Sequence, residues 1–299
     1  MSATLPARSL RPTGLSSDNT RPLSDEQVTR FNNDGYLMVR GLFDREEMDM
    51  LLRTAKHDQE MLRHEFGMKD RSGLAVKLSL WNHPGDDIYG MFGRCRRVVD
   101  SCEQLLGGEV YHYHSKMILK EPKVGGAWEW HQDYGYWYKN GCLLPDMVSC
   151  LIALDPATRE NGCIQMMKGS HAMGRIEHGM FGGQTGADPE RVNEAMKRME
   201  VEYCEAASGD ALFFHGNTLH CSGPNLSEKP RWALICCYNA AWNDPYKKHH
   251  HPNYTPLKKV DDSAIKATGI RPAKNDSFMD PDTDQTIKAD KEEPAGANS

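Results

Sequence analysis

VYHYHSKMIL, residues 110–119, is the first of several short segments that are rich in aromatic and apolar residues. The others cover residues 128–137, 148–154, 163–167, 211–214 and 232–238, and clusters of Pro, Gly and Asn separate them. Short strands punctuated by turn signals are typical of a β-sandwich or barrel. The middle of the chain therefore predicts an all-β core.

The residues around this core have the pattern of helices. Ser24 with Gln27, and Asp44 with Glu47, have the spacing of capping boxes. The expected elements are helices over 24–31, 45–65, 94–106 and 188–200 and a strand over 36–40. The predicted fold class is mainly β with flanking α: a double-stranded β-helix (a jelly roll of the cupin-like type) with N-terminal helices.

Composition limits the class of protein. The 299 residues carry a net charge of −6 without a basic run, so neither a nucleic acid nor an anionic membrane is expected as a partner. No apolar stretch approaches the roughly 20 residues that span a bilayer. The nine Cys include no CxxC pair, which favours reduced thiols and a cytoplasmic location. We expect a monomer or a homodimer.

The ends of the chain differ from its middle. Residues 1–22 are rich in Ser, Thr, Pro, Arg and Asn and predict a disordered tail. Residues 261–299 contain few large apolar side chains and predict a second low-complexity tail, extended or disordered. A single folded domain is therefore expected over 23–260.

Trp130-His131-Gln132-Asp133 is the strongest local feature for chemistry. Residues i and i+2 of a strand point to one face, so His131 and Asp133 would project together. The later stretch GDALFFHGNTLHCSG, residues 209–223, offers His215 or His220 as a third ligand. Two imidazoles and one carboxylate form the facial triad of non-haem Fe(II), which leaves three coordination positions open.

An isolated HxD is common and means little alone, but the residues after His220 add to it. Ser222 precedes a Gly-Pro-Asn turn, and a hairpin of this length can return Arg231 beside His220. A buried Arg needs an anionic partner, and its planar fork suits a carboxylate. A dicarboxylate that chelates iron at one end fits this set, and 2-oxoglutarate is such a molecule.

These motifs resemble the phytanoyl-CoA dioxygenase family of Fe(II)/2-oxoglutarate oxygenases, which includes ectoine hydroxylase. The resemblance runs from about Asp25 to Tyr238 and includes WHQDYGYW, ENGCIQMMKGSH and GDALFFHGNTLHCSGPNLSEKPRWAL, with Lys168 where Pro is usual. It implies that His131, Asp133 and His220 bind the iron. It also implies that Arg231 and Ser222 hold the far carboxylate of 2-oxoglutarate.

Further roles follow from the same resemblance. Lys77 falls where some members place a cosubstrate-contacting Lys, and a solvated surface Lys is the competing interpretation. Trp137 matches a substrate-contacting Trp, and Tyr134 and His114 are further candidates for substrate contact. His114 replaces a Gln of ectoine hydroxylase, which argues against ectoine itself. An aromatic wall suits a zwitterionic or cationic substrate, although most of these rings could simply fill the core.

The expected activity is hydroxylation of an unactivated C–H bond of a small metabolite. The cofactors and cosubstrates implied are Fe(II), 2-oxoglutarate and O2, with ascorbate as support and succinate and CO2 as products. Two alternatives remain: a Zn-dependent hydrolase on the same barrel, and a non-catalytic cupin-like protein that binds metal and ligand. His249-His250-His251 is expected to be a surface loop, and the sixteen Met are expected to pack in the core.

Overall fold

The computed structural model describes residues 21–181, 184–274 and 277–279. The prediction for residues 1–22 therefore falls almost wholly outside the described residues. The α-helices of the described residues are α1 (Asp25–Asp34), α2 (Arg45–His57), α3 (Gln59–Arg63), α4 (Ile88–Arg94), α5 (Arg96–Leu106), α6 (Asp133–Lys139), α7 (Pro189–Met196) and α8 (Ala264–Thr268).

The strands build two antiparallel sheets and a hairpin. They are β1 (Tyr36–Val39), β2 (Phe66–Lys69), β3 (Ala75–Trp81), β4 (Val110–Lys120), β5 (Trp128–His131), β6 (Met147–Ala153), β7 (Ile164–Met167), β8 (His178–Phe181), β9 (Gln184–Ala187), β10 (Val201–Tyr203), β11 (Ala211–His215), β12 (His220–Ser222) and β13 (Arg231–Ala240). The larger sheet has the order β1-β11-β6-β13-β4-β3-β2, the smaller one has β10-β7-β12-β5, and β8 pairs with β9. This arrangement confirms the predicted jelly roll.

The central strands β6 and β13 of the larger sheet are buried on both faces, because helices cover one side and the smaller sheet faces the other. Along β13, Leu234 and Cys236 belong to the cluster that includes helix residues such as Phe92. Ala233 and Ile235 belong to the cluster between the sheets. Strand alternation accounts for this division. Arg231, the first residue of β13, lies on the same inner face as residues 233 and 235, because alternate residues of a strand share a face.

The N-terminal elements begin where the sequence predicts. Both capping boxes, at Ser24 and Asp44, form in full. Gly35 ends α1 at φ 83°, a left-handed conformation that glycine adopts without a Cβ clash. The helix expected over 45–65 is divided in two at Asp58, whose carboxylate accepts the backbone N–H of Met61 and so begins α3.

Two expectations about boundaries are wrong. The segment 128–137 is not one strand, because β5 ends at His131 and α6 begins at Asp133. The tail expected from residue 261 also begins too early. Helix α8 lies within it, and Ile265 is fully buried in the cluster beneath the N-terminal helices. The helical pattern of AIKAT is too short to predict from periodicity alone.

Candidate active site

Three buried side chains from two strands and a helix converge at one place. His131 and His220 stand opposite each other in the register of β5 and β12, and Asp133 follows at the start of α6. The distances from Asp133 Oδ1 to the Nε2 atoms of His131 and His220 are 3.8 and 3.9 Å. One ligand atom from each of the three lies within 4.8 Å of the others, so the set can hold a metal ion.

Hydrogen bonds set the tautomers of both imidazoles. Nδ1–H of His131 donates to the Glu129 carbonyl, and Nδ1–H of His220 donates to the Thr218 carbonyl, each at 2.8 Å. Nε2 of each ring is thereby left with a free lone pair, as metal binding requires. Burial also lowers the pKa of both rings, that of His131 well below its usual range, so both are neutral ligands at pH 7.

The carboxylate of Asp133 is held from its far side. Ser149, on β6, donates its hydroxyl to Asp133 Oδ2 at 2.8 Å. Oδ1 is then the oxygen that faces the two imidazoles. Cys237 Sγ lies 3.4 Å from the same hydroxyl oxygen, which ties the contact to β13. Ser149 therefore orients a ligand without touching the metal position.

The turn between the ligands is fixed by buried polar contacts. The Gln132 amide donates to the Gly174 and Asn217 carbonyls, and its oxygen accepts the N–H of Ile176. The Gln132 backbone N–H donates to Nε2 of His178. Gln132 is fully buried, not at a rim, and it connects the HxD motif to two other segments.

An inner cavity lies behind the triad, lined by Ser222 and Arg231 together with His220. Arg231 is 4% exposed, and its guanidinium forms no ion pair or hydrogen bond with any described residue. Burial lowers its pKa to about 10. Lys120 stands opposite Arg231 in the strand register, is fully buried, and donates to Ser222 Oγ at 2.8 Å.

Two buried cations side by side are unfavourable unless an anion joins them. Burial, followed by the charge of Arg231, lowers the pKa of Lys120 well below its usual range. Because Ser222 Oγ accepts from Lys120, the proton of this hydroxyl is left to donate elsewhere. The inner cavity therefore offers a guanidinium and a hydroxyl to a carboxylate.

An outer cavity of about 460 Å³ opens on the other side of the triad. Asp133, Tyr136, Trp137 and Asn140 all line it. These positions are i, i+3, i+4 and i+7 of a helix, which share one face. Trp137 thus reaches the site as predicted, but through helical rather than strand geometry. Trp128, His131 and Lys116 line both cavities.

The other predicted substrate residues differ in their positions. His114 lines the outer cavity and packs edge-to-face against Trp137, with ring centroids 5.8 Å apart. Tyr134 does not line it; its hydroxyl donates to the Cys142 carbonyl within the core, because position i+1 of α6 turns away from Asp133. Tyr136, which packs on the His131 ring, takes the place expected for Tyr134.

The histidine segment 249–251 is not a surface loop, so that expectation is wrong. His250 and His251 line the outer cavity, and His251 is buried. The His251 ring stacks on His114, with centroids 4.4 Å apart and planes 16° apart. Asn82 holds the segment by accepting from His251 Nδ1 and donating to the His250 carbonyl. No local pattern signals this packing, which depends on contacts distant in the chain.

Lys77 lies outside both cavities, on the exposed side of β3, and forms an ion pair with Glu65. Its predicted contact with the cosubstrate is not supported by this position. Lys116, which sequence reasoning missed, is the lysine that lines both cavities. Its spacing of two residues from His114 on a strand is the signal that could have found it.

His215, the other candidate from residues 209–223, ends β11 and packs against the His171 ring. It is not a member of the metal-binding group formed by the described residues. The geometry thus selects His220.

Comparison with known proteins agrees with this geometry. Residues 31–233 match the sequence profile of the family described as phytanoyl-CoA dioxygenase. This chain belongs to the phytanoyl-CoA dioxygenase family. An L-proline trans-4-hydroxylase of Streptomyces griseoviridis is 30% identical over 261 residues, which cover 80% of this chain and 97% of that protein.

Two further similar proteins have lower sequence identity to this chain. An ectoine dioxygenase of Bordetella parapertussis is 26% identical over 271 residues, covering 84% of this chain and 85% of the relative. The crystal structure of EctD from S. alaskensis with 2-oxoglutarate and 5-hydroxyectoine superposes with a TM-score of 0.70 at 20% identity, covering 83% of this chain and 91% of that one. This likeness shows the shared fold.

Among the residues that the structure describes, no helix is both long and apolar enough to cross a membrane.

Proposed function

We propose that this protein is an Fe(II)/2-oxoglutarate-dependent dioxygenase that hydroxylates a C–H bond of a small-molecule metabolite. The observation that carries the proposal is the convergence of His131, Asp133 and His220, whose ligand atoms lie within 4.8 Å of one another while Nδ1 of each imidazole is hydrogen-bonded to a carbonyl. Relatives named as proline and ectoine hydroxylating enzymes support the reaction class.

The ligand set suits ferrous iron. Two neutral imidazoles and one carboxylate leave coordination positions for a cosubstrate and dioxygen. When bound, iron with 2-oxoglutarate and O2 would supply the oxidising chemistry that inserts one oxygen atom into an unactivated C–H bond and places the other in succinate, with release of CO2. The residues of this chain hold, orient and shield that centre.

Arg231 and Ser222 are proposed to hold the far carboxylate of 2-oxoglutarate. A buried guanidinium without an anionic partner is costly, and a bidentate carboxylate removes that cost. The inner cavity reaches His131 and His220, so a dicarboxylate anchored at Arg231 extends toward the metal position. Lys120 orients the Ser222 hydroxyl for this contact.

The outer cavity is proposed to hold the substrate. Trp137 and Tyr136 wall the side next to Asp133, and His250 and His251 cover another side. This enclosure limits water at the reacting carbon. All nine thiols are free and buried, which supports a working location in the reducing cytoplasm.

The decisive experiment measures cosubstrate binding and turnover separately. Anaerobic addition of Fe(II) and 2-oxoglutarate should produce a metal-to-ligand charge-transfer absorption band, and a metabolite panel with ascorbate should show substrate-dependent succinate release. His131→Ala and His220→Ala should lose both, whereas His215→Ala should keep the band. Near-normal succinate release by either triad variant would remove the iron assignment.

The two alternatives predict different oxygen behaviour. A zinc hydrolase can use two His and one carboxylate, but it has no use for the unpaired Arg231 and needs no O2. A non-catalytic binding protein would form the band without consuming 2-oxoglutarate. Oxygen uptake that depends on 2-oxoglutarate distinguishes the dioxygenase from both alternatives, and formation of the band distinguishes the binding protein from the hydrolase.

A further inference from the structure

Lys116 is the cationic residue at the junction of the two cavities. It follows His114 by two positions on β4, so both side chains face the interior of the site. Lys116 lines the outer cavity with His114 and His251, and the inner cavity with Arg231 and Ser222. Its ammonium group forms no ion pair or hydrogen bond with any residue that the structure describes.

The surroundings of Lys116 contain little to balance its charge. Lys69, at the exposed end of β2, adds a second positive charge to the outer cavity, and Asp133 is its sole acidic side chain among the described residues. Asp133 is already committed to the metal position. Burial lowers the pKa of His114 well below its usual range, and the charge of Lys116 is the next cause. The lysine thus stands beside neutral imidazoles.

The net charge of the site with iron and 2-oxoglutarate bound also favours an anionic ligand, and this step rests on the proposed function. The charges of a ferrous ion and of the 2-oxoglutarate dianion cancel. Asp133 then offsets one of the two cations Arg231 and Lys116, which leaves one positive charge even if Lys120 is neutral. Lys116 is half-buried, so its charge is only partly hydrated and favours a nearby anion. A monoanionic substrate would supply it.

Unsatisfied nitrogens on the same walls support an acceptor ligand. The indole N–H of Trp128, which can only donate, is buried without a partner, and so is Nδ1 of His114. Trp128 lines both cavities beside Lys116. A buried donor without an acceptor costs about 1–3 kcal/mol. By contrast, the described residues give the outer cavity no carboxylate apart from Asp133 with which to pair an ammonium group.

We propose that Lys116 binds the carboxylate of the primary substrate, and that this substrate is a small, amino-acid-sized carboxylic acid. Its body lies against Trp137 and Tyr136, with the reacting C–H bond toward the edge formed by His131 and Asp133. A cationic substrate that lacks a carboxylate does not fit this cavity. Lys116 thereby selects the substrate class.

The test uses the full-length holoenzyme with Fe(II) and saturating 2-oxoglutarate under anaerobic conditions. The probes are L-proline, cyclohexanecarboxylate and the other proteinogenic amino acids, each compared with its primary amide. Binding is followed by the perturbation of the charge-transfer band. At least one acid should perturb the band, and its amide should bind at least about tenfold more weakly, as loss of a charge-assisted hydrogen bond implies.

Variants separate the substrate contact from the cosubstrate contact. Lys116→Met should weaken binding of the acid at least about tenfold, while the band formed by 2-oxoglutarate alone keeps its intensity. Lys77→Met removes a lysine from the exposed side of the neighbouring strand and is the matched control, for which acid binding should not change.

Several results would overturn the proposal. They are equal binding of acid and amide, unchanged acid affinity in Lys116→Met, loss of the 2-oxoglutarate band itself in that variant, or a panel in which no acid affects the band. Failure of the wild-type protein to form any band with Fe(II) and 2-oxoglutarate would instead refute the proposed function. The two failures are thus distinguishable.

Discussion

Arg231→Met should have opposite effects on the metal-free protein and on the cosubstrate complex. In the free protein the guanidinium is a buried cation without an anion, and burial lowers its pKa from the ordinary value of arginine to about 10. This pKa difference means that the charged guanidinium is about 3 kcal/mol less stable in the folded protein than in water. Below both pKa values this cost is fully present, so at pH 7 removal of the charge should stabilise the apo-protein.

The expected gain is about 1–3 kcal/mol, in the range seen when buried ions are replaced by apolar side chains. It should raise the melting temperature by several degrees. Binding of 2-oxoglutarate should change in the other direction. Loss of the charge-assisted hydrogen bonds should cost about 2–4 kcal/mol, or roughly 30- to 1000-fold in affinity. The stabilisation that 2-oxoglutarate confers on the wild type should therefore largely disappear.

The assay is thermal unfolding with Mn(II) in place of iron, with and without 2-oxoglutarate. Arg45→Met is the matched control, because Arg45 is exposed on α2 and, among the described residues, its ion-pair partner is Asp49 at 3.7 Å. The stability of this variant should stay within about 0.5 kcal/mol of the wild type. If Arg231→Met were destabilised as an apo-protein and still gained the wild-type stabilisation from 2-oxoglutarate, the assignment of this residue as an anion site would be wrong.

Other predictions concern the supports of the triad. Ser149→Ala removes the donor to Asp133 Oδ2 and should weaken metal binding roughly tenfold in an anaerobic Mn(II) titration. Ser79→Ala removes an equally buried donor to the Met61 carbonyl and should leave metal affinity unchanged. Equal metal affinities of the two variants would contradict the role of Ser149. Gly135→Ala places a Cβ 2.2 Å from the His178 ring and should lower the free energy of urea unfolding by about 1–3 kcal/mol. Gly223→Ala, where space is open, should change this free energy little. A Gly135→Ala variant as stable as the wild type would show that His178 can move. Burial lowers the pKa of His178 to about 4 and that of His112 to about 3, so the unfolded chain binds more protons below about pH 6.5 and stability must fall with decreasing pH. Urea unfolding of the metal-free protein at pH 7 and pH 5 should reveal a loss of about 2 kcal/mol for each such histidine, and a flat profile would refute their neutral burial.

The parts predicted well from sequence are those set by local physical rules. The capping boxes at Ser24 and Asp44 satisfy helix N–H groups within three residues, so they form wherever the sequence carries them. The long strands β4, β6 and β13 follow from continuous apolar and aromatic runs. The HxD motif also predicts a shared ligand pair, although its geometry differs from a strand.

The errors share a different cause. Asp133 begins a helix because the chain turns into α6 directly after β5, where the Gln132 backbone meets His178 from another segment. His251 is buried because Asn82, far away in the chain, holds it. Ile265 packs beneath helices some 170 residues earlier in the sequence. In each case the deciding partner is distant, and local pattern carries no information about it.

The sequence by itself determined the jelly-roll class, the helical N-terminal layer and the residue types of a facial triad, since these depend on periodicity, capping and ligand chemistry. Only the tertiary structure decided that Lys116 rather than Lys77 reaches the site, that Tyr136 replaces Tyr134, and that the histidines near residue 250 close the cavity. The physical reason is that the periodicity of a strand or helix determines which side chains share a face. Which residues contact that face depends on how segments distant in the chain pack against it and bury their charges.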